Sequence, residues 1–246
     1  MAAITLTRPD GLNAIDLETA DALAAAFRTV SADETLRCVI LRSGEPRAFS
    51  VGADLREFAE KRATPDEARR YEARASGMFD ALRACPHPVV AQIEGYCLGS
   101  GLGLALLCDL RIGTRSSRLG MGASRTAHLI PAPYLRIVLE IVGLATAMEL
   151  VLEGRAYDGR ESFEKGLLTR VVPASELNAE VSATVARIVE GPPRAVRWHK
   201  AALTALAAPG IRMLDEDEPF RAVGSHDYQE GIRAFLEKRE PVFSGQ

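Results

Sequence analysis

The sequence predicts an α/β fold, because segments with strand-like and helix-like patterns alternate along most of the chain. Residues 2–8 alternate as in a half-buried strand, and residues 89–95 form a short apolar run of the kind found in buried strands. Beyond residue 173 the pattern is wholly helical. We therefore expect an α/β core in residues 1–190 and a helical C-terminal region in residues 191–246 that serves packing or assembly.

The first half of the chain continues this alternation. Its predicted elements after the first strand are a helix at 17–30, a strand at 37–41, a loop that includes 49–54, a charged helix at about 66–84 and the strand at 89–95. Pro86 and Pro88 end the charged helix, because proline lacks the N–H that a helix interior requires. His87, between these prolines, is expected in a surface turn.

The second half follows the same rules. Its predicted elements are a helix at 100–108, a strand at 110–114, a loop at 120–130, a helix at about 131–141 and an amphipathic helix at 230–239. Pro131 and Pro133 favour a helix start, since proline is tolerated in the first helical turn. Breaks at 191–193 and 209–210 separate the C-terminal helices.

The composition is that of an ordinary globular protein. With 246 residues, of which 47% are hydrophobic and 26% charged, the chain can bury a full core in one large domain. A net charge of −3 argues against a surface for nucleic acid or anionic membranes.

The start lacks a secretory signal and no window resembles a membrane span, so a cytoplasmic location is expected. The four cysteines form no CxxC pair, which predicts buried thiols and neither a metal site nor disulfides.

The most informative motif is the glycine-rich turn from Gly99 to Gly103, which follows a strand and opens an apolar helix. The first amides of a helix have no intrahelical partner and carry partial positive charge, so this turn is suited to an anion or a developing oxyanion. A dinucleotide fingerprint would need glycine where Leu104 stands. Close packing of helix against strand is a purely structural interpretation. A second glycine turn at 51–54 favours an oxyanion site formed by two amides.

Four segments resemble the enoyl-CoA hydratase/isomerase (crotonase) superfamily in order and spacing. They are Ile4 to Ile15, Ala48 to Leu55, Gly95 to Gly101, and the closing segment from Glu230 to Phe243. The resemblance covers essentially the whole chain. It implies a crotonase (ClpP-like) fold of repeated ββα turns, a helical C-terminal trimerisation region, and assembly as a homotrimer or a dimer of trimers.

The resemblance also implies an acyl-CoA ligand, with coenzyme A present only as part of the thioester and no permanently bound cofactor. Two backbone amides would donate to the thioester carbonyl oxygen, and they map onto Ala53 and Ser100. The family usually has glycine at position 100; serine can serve, because the amide is the donor, with a cost of about 1–2 kcal/mol if its backbone is left-handed. Val51, Gly52 and Gly99 would border the same ligand.

Two residues of the C-terminal region are implied to bind coenzyme A. Lys238 maps onto a family lysine that reaches the coenzyme A phosphates, sometimes from a neighbouring subunit. Phe235 maps onto an aromatic residue near the same ligand. Helix packing for Phe235 and a solvated charge for Lys238 are the alternative interpretations.

Both glutamates that hydratases of this family use for proton transfer are absent from the alignment. Gly103 stands at the position of the first glutamate, and Ala123 stands at the position of the second. Pro131 stands where some relatives have an aspartate. General acid–base groups contribute about 10²–10⁴-fold each, so efficient hydration is not expected. His128 and Tyr134 are the candidate replacements, since imidazole titrates near neutrality and a phenol can hydrogen-bond a carboxylate or enolate. A loop histidine and a core tyrosine are the structural alternatives.

The sequence therefore predicts a protein that polarises an acyl-CoA thioester and, if catalytic, acts through an enolate-like anion as an isomerase, decarboxylase or hydrolase. Two alternatives stay open. The first is an acyl-CoA-binding protein without activity, and the second is an enoyl-CoA hydratase, for which the alignment of residues 119–131 would have to differ.

Overall fold

The computed structural model describes residues 1–121, 129–207 and 225–245. The strands are β1 (Ala2–Leu6), β2 (Val39–Ser43), β3 (Ala48–Ser50), β4 (Val89–Ile93), β5 (Tyr96–Leu98), β6 (Leu110–Thr114), β7 (Arg118–Gly120), β8 (Ala156–Asp158) and β9 (Arg170–Val172). The α-helices are α1 (Leu17–Ala32), α2 (Leu55–Lys61), α3 (Pro65–Ala75), α4 (Gly77–Arg83), α5 (Ser100–Leu107), α6 (Ala132–Met148), α7 (Gly159–Glu164), α8 (Leu177–Glu190), α9 (Pro193–Ala207) and α10 (His226–Glu237). Within these ranges, no helix is both long and apolar enough to pass through a lipid bilayer.

The strands form two sheets. The larger sheet has the order β1-β2-β4-β6-β9 and is parallel throughout. The smaller sheet has the order β3-β5-β7-β8, and only the β7–β8 pair is antiparallel. From β2 to β7 the strands of the two sheets alternate along the chain, and the units β2-β3-α2, β4-β5-α5 and β6-β7-α6 repeat one ββα pattern. This arrangement confirms the predicted α/β fold of repeated ββα turns.

The position of β2 explains the apolar run from Cys38 to Leu41. Val39 and Leu41 join the main core, which α1, α4 and α5 cover. Cys38 and Ile40 join a second cluster, which α8 covers on the other side of the sheet. Because successive side chains of a strand point to opposite faces, a strand covered on both sides needs apolar residues at every position.

Two predicted elements are each divided in the structure. The apolar run 89–95 ends at a turn before β5, because Gly95 has φ +67° and a Cβ there would lie 2.0 Å from the carbonyl oxygen of Arg47. The charged stretch 66–84 forms α3 and α4, which meet at Ser76. The segment after Asp54 forms α2, and Asp54 is the N-cap of this helix.

The prediction of a surface turn at His87 is wrong. His87 is fully buried, its Nε2 lies 3.0 Å from the carbonyl oxygen of Val30, and burial lowers the pKa of its imidazole. Lys200 of α9 covers this region, where its Nζ donates to the carbonyl oxygen of His87 at 2.8 Å and to Asp109 at 2.7 Å. All four cysteines are buried and unpaired, as predicted.

Further contacts hold the C-terminal segment against the core of the same chain. Arg197 of α9 donates to the carbonyl oxygen of Leu36 at 3.0 Å, and Arg37 donates to the carbonyl oxygen of Phe243 at 2.9 Å. The described part of residues 191–246 therefore packs on the core. Its use in assembly stays a prediction.

Candidate active site

A cavity of about 200 Å³ lies beside the first turn of α5. Its described walls come from the two glycine turns, from helices α2 to α4 with the residue that ends α2, and from the start of α6. Five of the predicted site residues line it, namely Val51, Ala53, Gly99, Ser100 and Tyr134. The structure thus brings together positions that are widely separated in the sequence.

The two glycine turns touch each other, which explains why glycine is needed at position 52. Gly52 has φ +92°, and a Cβ there would lie 2.8 Å from the carbonyl oxygen of Leu98 and 3.1 Å from the backbone nitrogen of Ser100. A Cβ on Gly99 would lie 3.7 Å from the Cα of Gly52. Any side chain at position 52 would therefore push the turns apart, in addition to the strain of its backbone conformation.

The amides of Ala53 and Ser100 have no acceptor within the part of the chain that the structure describes. Ile15 and Ala53 are joined by a β-bridge that does not use the Ala53 amide. In this bridge the amide of Ile15 donates to the carbonyl oxygen of Gly52, and the amide of Asp54 donates to the carbonyl oxygen of Ile15. Ser100 is the first residue of α5, so its N–H has no partner within the helix. Neither amide donates a hydrogen bond to another described residue.

Ser100 does not adopt the left-handed backbone conformation that would carry a strain cost. Among the described residues other than glycine, only Leu12, Asn13 and Lys238 have positive φ. Gly99, the preceding residue, takes the unusual conformation instead, with φ +52° and ψ −123°. Serine at position 100 therefore presents its amide without the left-handed cost.

Buried polar groups fix the turn that carries Ala53. The Ser50 hydroxyl donates to the carbonyl oxygen of Asn13 at 2.7 Å and accepts from the amide of Gly52 at 3.1 Å. Asp54 begins α2 as its N-cap and forms ion pairs with Arg56 and Arg8, both at 3.0 Å. Hydrogen bonds from Arg56, together with the Arg8 contact, lower the pKa of Asp54 to about 2.

The two described positions that correspond to missing acid–base residues lie at the cavity and carry no ionisable group. Gly103 and Pro131 both line it. The ring of Phe79 covers Gly103, because a Cβ there would lie 3.1 Å from Phe79 Cε1. Ala123 and His128 fall outside the described residues, so the suggested role of His128 stays a prediction.

Tyr134 lies at the start of α6, where it contacts an aromatic ring and lines the same cavity as the carboxylate of Glu72. Its ring centroid is 4.8 Å from that of Phe79. Burial, and then the interaction with Glu72, raise the pKa of the Tyr134 phenol well above its ordinary value. The hydroxyl therefore stays protonated at neutral pH and can act as a hydrogen-bond donor.

Sequence reasoning missed three charged residues of the described cavity wall, Asp16, Arg62 and Glu72. The Arg62 guanidinium lies over the rings of Phe58, 4.2 Å from the centroid, and Tyr71, 5.4 Å away. Glu72 is half-buried on the inward face of α3. One sequence feature alone could have indicated Glu72. It follows Tyr71, which shares a helix face with Ala75 at i, i+4 spacing.

The two predicted coenzyme-binding residues of the C-terminal region do not line this cavity. Phe235 is 81% exposed, and Lys238 is an exposed residue that ends α10 with φ +55°. Their proposed contacts with coenzyme A stay predictions.

The comparisons with known proteins agree with this architecture. The whole chain, residues 1–246, matches the family model described as enoyl-CoA hydratase/isomerase. "Probable enoyl-CoA hydratase 2, mitochondrial" from Arabidopsis thaliana is 32% identical over 245 residues, which cover 98% of this chain and 81% of the plant protein. A crystal structure named enoyl-CoA hydratase/carnithine racemase, from Magnetospirillum magneticum, has 41% identity and a TM-score of 0.96, with 99% of this chain and 92% of that chain covered. An enoyl-CoA hydratase from Bacillus anthracis has 28% identity and a TM-score of 0.90, with 99% and 95% covered. The chain therefore belongs to the enoyl-CoA hydratase/isomerase family.

Proposed function

We propose that the chain binds an acyl-CoA thioester in this cavity, with the amides of Ala53 and Ser100 donating to the thioester carbonyl oxygen. One observation carries the proposal. The two amides belong to touching turns that line one cavity, and neither donates to a described residue. Backbone donors held by packed turns are preorganised, so they can stabilise negative charge on that oxygen without rearranging.

The chemistry that this arrangement favours passes through an enolate. Loss of a proton from the α-carbon, or of carbon dioxide from it, leaves negative charge on the thioester oxygen, where the two donors would stabilise it. Hydration also requires groups that activate water and deliver a proton. Gly103 and Pro131 supply neither, so isomerisation or decarboxylation fits the described walls better. Thioester hydrolysis, the third reaction class, would instead place the charge of its tetrahedral intermediate on the same two donors.

Two other functions each have one supporting observation. Acyl-CoA binding without turnover is supported by the absence of ionisable groups at Gly103 and Pro131. Hydratase activity is supported by relatives and solved structures that are named enoyl-CoA hydratases. Assays with crotonyl-CoA for hydration and trans-3-hexenoyl-CoA for isomerisation separate these functions from the proposed one.

The remainder of the ligand and the assembly are proposed from the family resemblance. Exposed Lys238 and Phe235 would contact coenzyme A bound to a neighbouring subunit or to their own. Large apolar side chains exposed along α6 and the turn that follows, such as Leu139, Leu144 and Leu152, support association with further copies of the chain as a trimer or a dimer of trimers.

Calorimetric titration with two matched ligands tests the proposal. Butyryl-CoA has the carbonyl oxygen, whereas S-butyl-CoA, the thioether, lacks it and is otherwise similar. Two hydrogen bonds of about 0.5–1.5 kcal/mol each predict that the thioester binds at least about fivefold more tightly. Equal affinities would contradict carbonyl recognition, and no binding of either ligand would contradict coenzyme A ester binding as a whole.

A further inference from the structure

Two carboxylates line the described part of the cavity, and only one of them lacks a structural role. Asp16 begins α1, accepts from the amide of Thr19 at 2.8 Å and pairs with Arg8 at 3.1 Å. Glu72, in contrast, has no cation among the described residues within ion-pairing distance of 4 Å. Glu72 is therefore the carboxylate of this wall that remains available for a ligand.

Tyr134 and Glu72 line the same cavity. The Glu72 carboxylate contributes to the raised pKa of the Tyr134 phenol, which stays protonated and is therefore able to donate to that carboxylate. The Tyr134 ring contacts Phe79, and Phe79 in turn covers Gly103, the position at which hydratases carry a glutamate by resemblance. The rings of Phe79 and Tyr134 thus lie between the site of a missing carboxylate and a carboxylate that is present on another helix.

The other charged and titratable groups around this pair have identifiable partners. Tyr71 donates to Glu57 at 3.1 Å, so it does not compete for Glu72. Arg62 is stacked on Phe58 and Tyr71 and adds positive charge to the same cavity. Asp80 is near enough to act electrostatically on Tyr134.

We propose that Glu72 is the base that transfers a proton between the α- and γ-carbons of an enoyl-CoA thioester, and that Tyr134 positions its carboxylate. In the first step a C–H bond at the α-carbon of a 3-enoyl thioester breaks, its electron pair moves into the dienolate, and the proton binds Glu72. In the second step the same proton passes to the γ-carbon, where a new C–H bond forms, and the conjugated 2-enoyl thioester results. No co-reactant is consumed. This inference rests on the proposed thioester site and specifies its reaction as double-bond migration.

Two activity assays on the full chain test this role. One follows conversion of trans-3-hexenoyl-CoA to the conjugated isomer by ultraviolet absorbance, and the other follows exchange of butyryl-CoA α-protons with D₂O by NMR. Glu72→Gln removes the base while keeping nearly the same shape, and both rates are expected to fall about 100-fold or more. Glu60→Gln, the same substitution at an exposed position of α2 outside the cavity, is expected to leave both rates unchanged.

A second variant tests the positioning role. Tyr134→Phe keeps the ring that packs on Phe79 but removes the donor to Glu72, so kcat is expected to fall about tenfold while KM stays constant. A change confined to KM would contradict positioning and would indicate a role in binding alone.

The result for binding separates failure of this inference from failure of the proposed function. Preferential binding of butyryl-CoA over S-butyl-CoA in Glu72→Gln, together with loss of both activities, supports the base. Activity within threefold of the wild type in Glu72→Gln overturns it. Absence of both reactions in the wild type, with thioester binding intact, also overturns it and leaves the proposed binding site standing.

Discussion

At the scale of single residues, the site depends on main-chain geometry more than on side-chain chemistry. Gly52 and Gly99 adopt conformations that other residues rarely take, and these conformations bring the turns before Ala53 and Ser100 into contact. Serine at position 100 is compatible with this arrangement because its side chain takes no part in it. The identity of the residue at a donor position therefore matters less than the glycine before it.

Alanine at position 52 tests this dependence. Gly52→Ala introduces left-handed strain of about 1–2 kcal/mol and a Cβ 2.8 Å from the carbonyl oxygen of Leu98. Gly166→Ala is the matched control, since Gly166 also has positive φ, +77°, but a Cβ there would come no closer than 3.9 Å to the nearest atom, the carbonyl oxygen of Ile141. Urea unfolding is expected to show a larger loss of stability for Gly52→Ala, and only this variant is expected to lose thioester affinity. Equal effects of the two variants would show that contact between the turns is unimportant.

At the scale of elements, the sequence carried strong signals for the buried strands and for the first turn of α5. It carried weak signals for β7, β8 and β9, because three-residue strands are too short to show a period. The α5 turn and Tyr134 could be predicted from local pattern and resemblance. Glu72 could not, because its relation to Tyr134 exists only after the chain has folded so that α3 and the start of α6 line one cavity.

The N-cap of α2 gives an element-scale prediction for pH. The pKa of Asp54 is about 2 in the folded protein and ordinarily 3.8, so between these values the unfolded state binds more protons. The stability that Asp54 contributes is therefore complete above pH 4 and decreases as the pH falls towards 2. The difference in unfolding free energy between wild type and Asp54→Asn is expected to shrink by about 1 kcal/mol from pH 6 to pH 3, measured by urea unfolding. A difference that is independent of pH would contradict this account of Asp54.

At the scale of the whole molecule, the fold was predictable because both sheets and their repeated ββα units follow from apolar runs separated by glycine and proline. The exposed apolar side chains of α6 lie outside the core, and nothing within the described chain covers them. Association of copies would bury them, which is favourable for apolar surface.

A charge placed on this face tests the assembly. The wild type is expected to sediment at three or six times the 26.5 kDa of one chain, and Leu144→Glu, at a side chain that is 61% exposed, is expected to dissociate to monomers. Ala25→Glu, which adds the same charge on an exposed position of α1, is expected to leave the assembly intact. Monomeric wild-type protein would contradict the proposed association.

The most direct measurement is the ratio of affinities for butyryl-CoA and S-butyl-CoA in two variants of Ser100. Ser100→Pro removes the N–H at the first position of α5, where a helix tolerates proline, and Ser100→Ala retains it. With circular dichroism showing both variants folded, we expect Ser100→Ala to keep the preference for the thioester and Ser100→Pro to lose most of it. An unchanged preference in Ser100→Pro would show that this amide does not bind the carbonyl oxygen, and the central claim would be wrong.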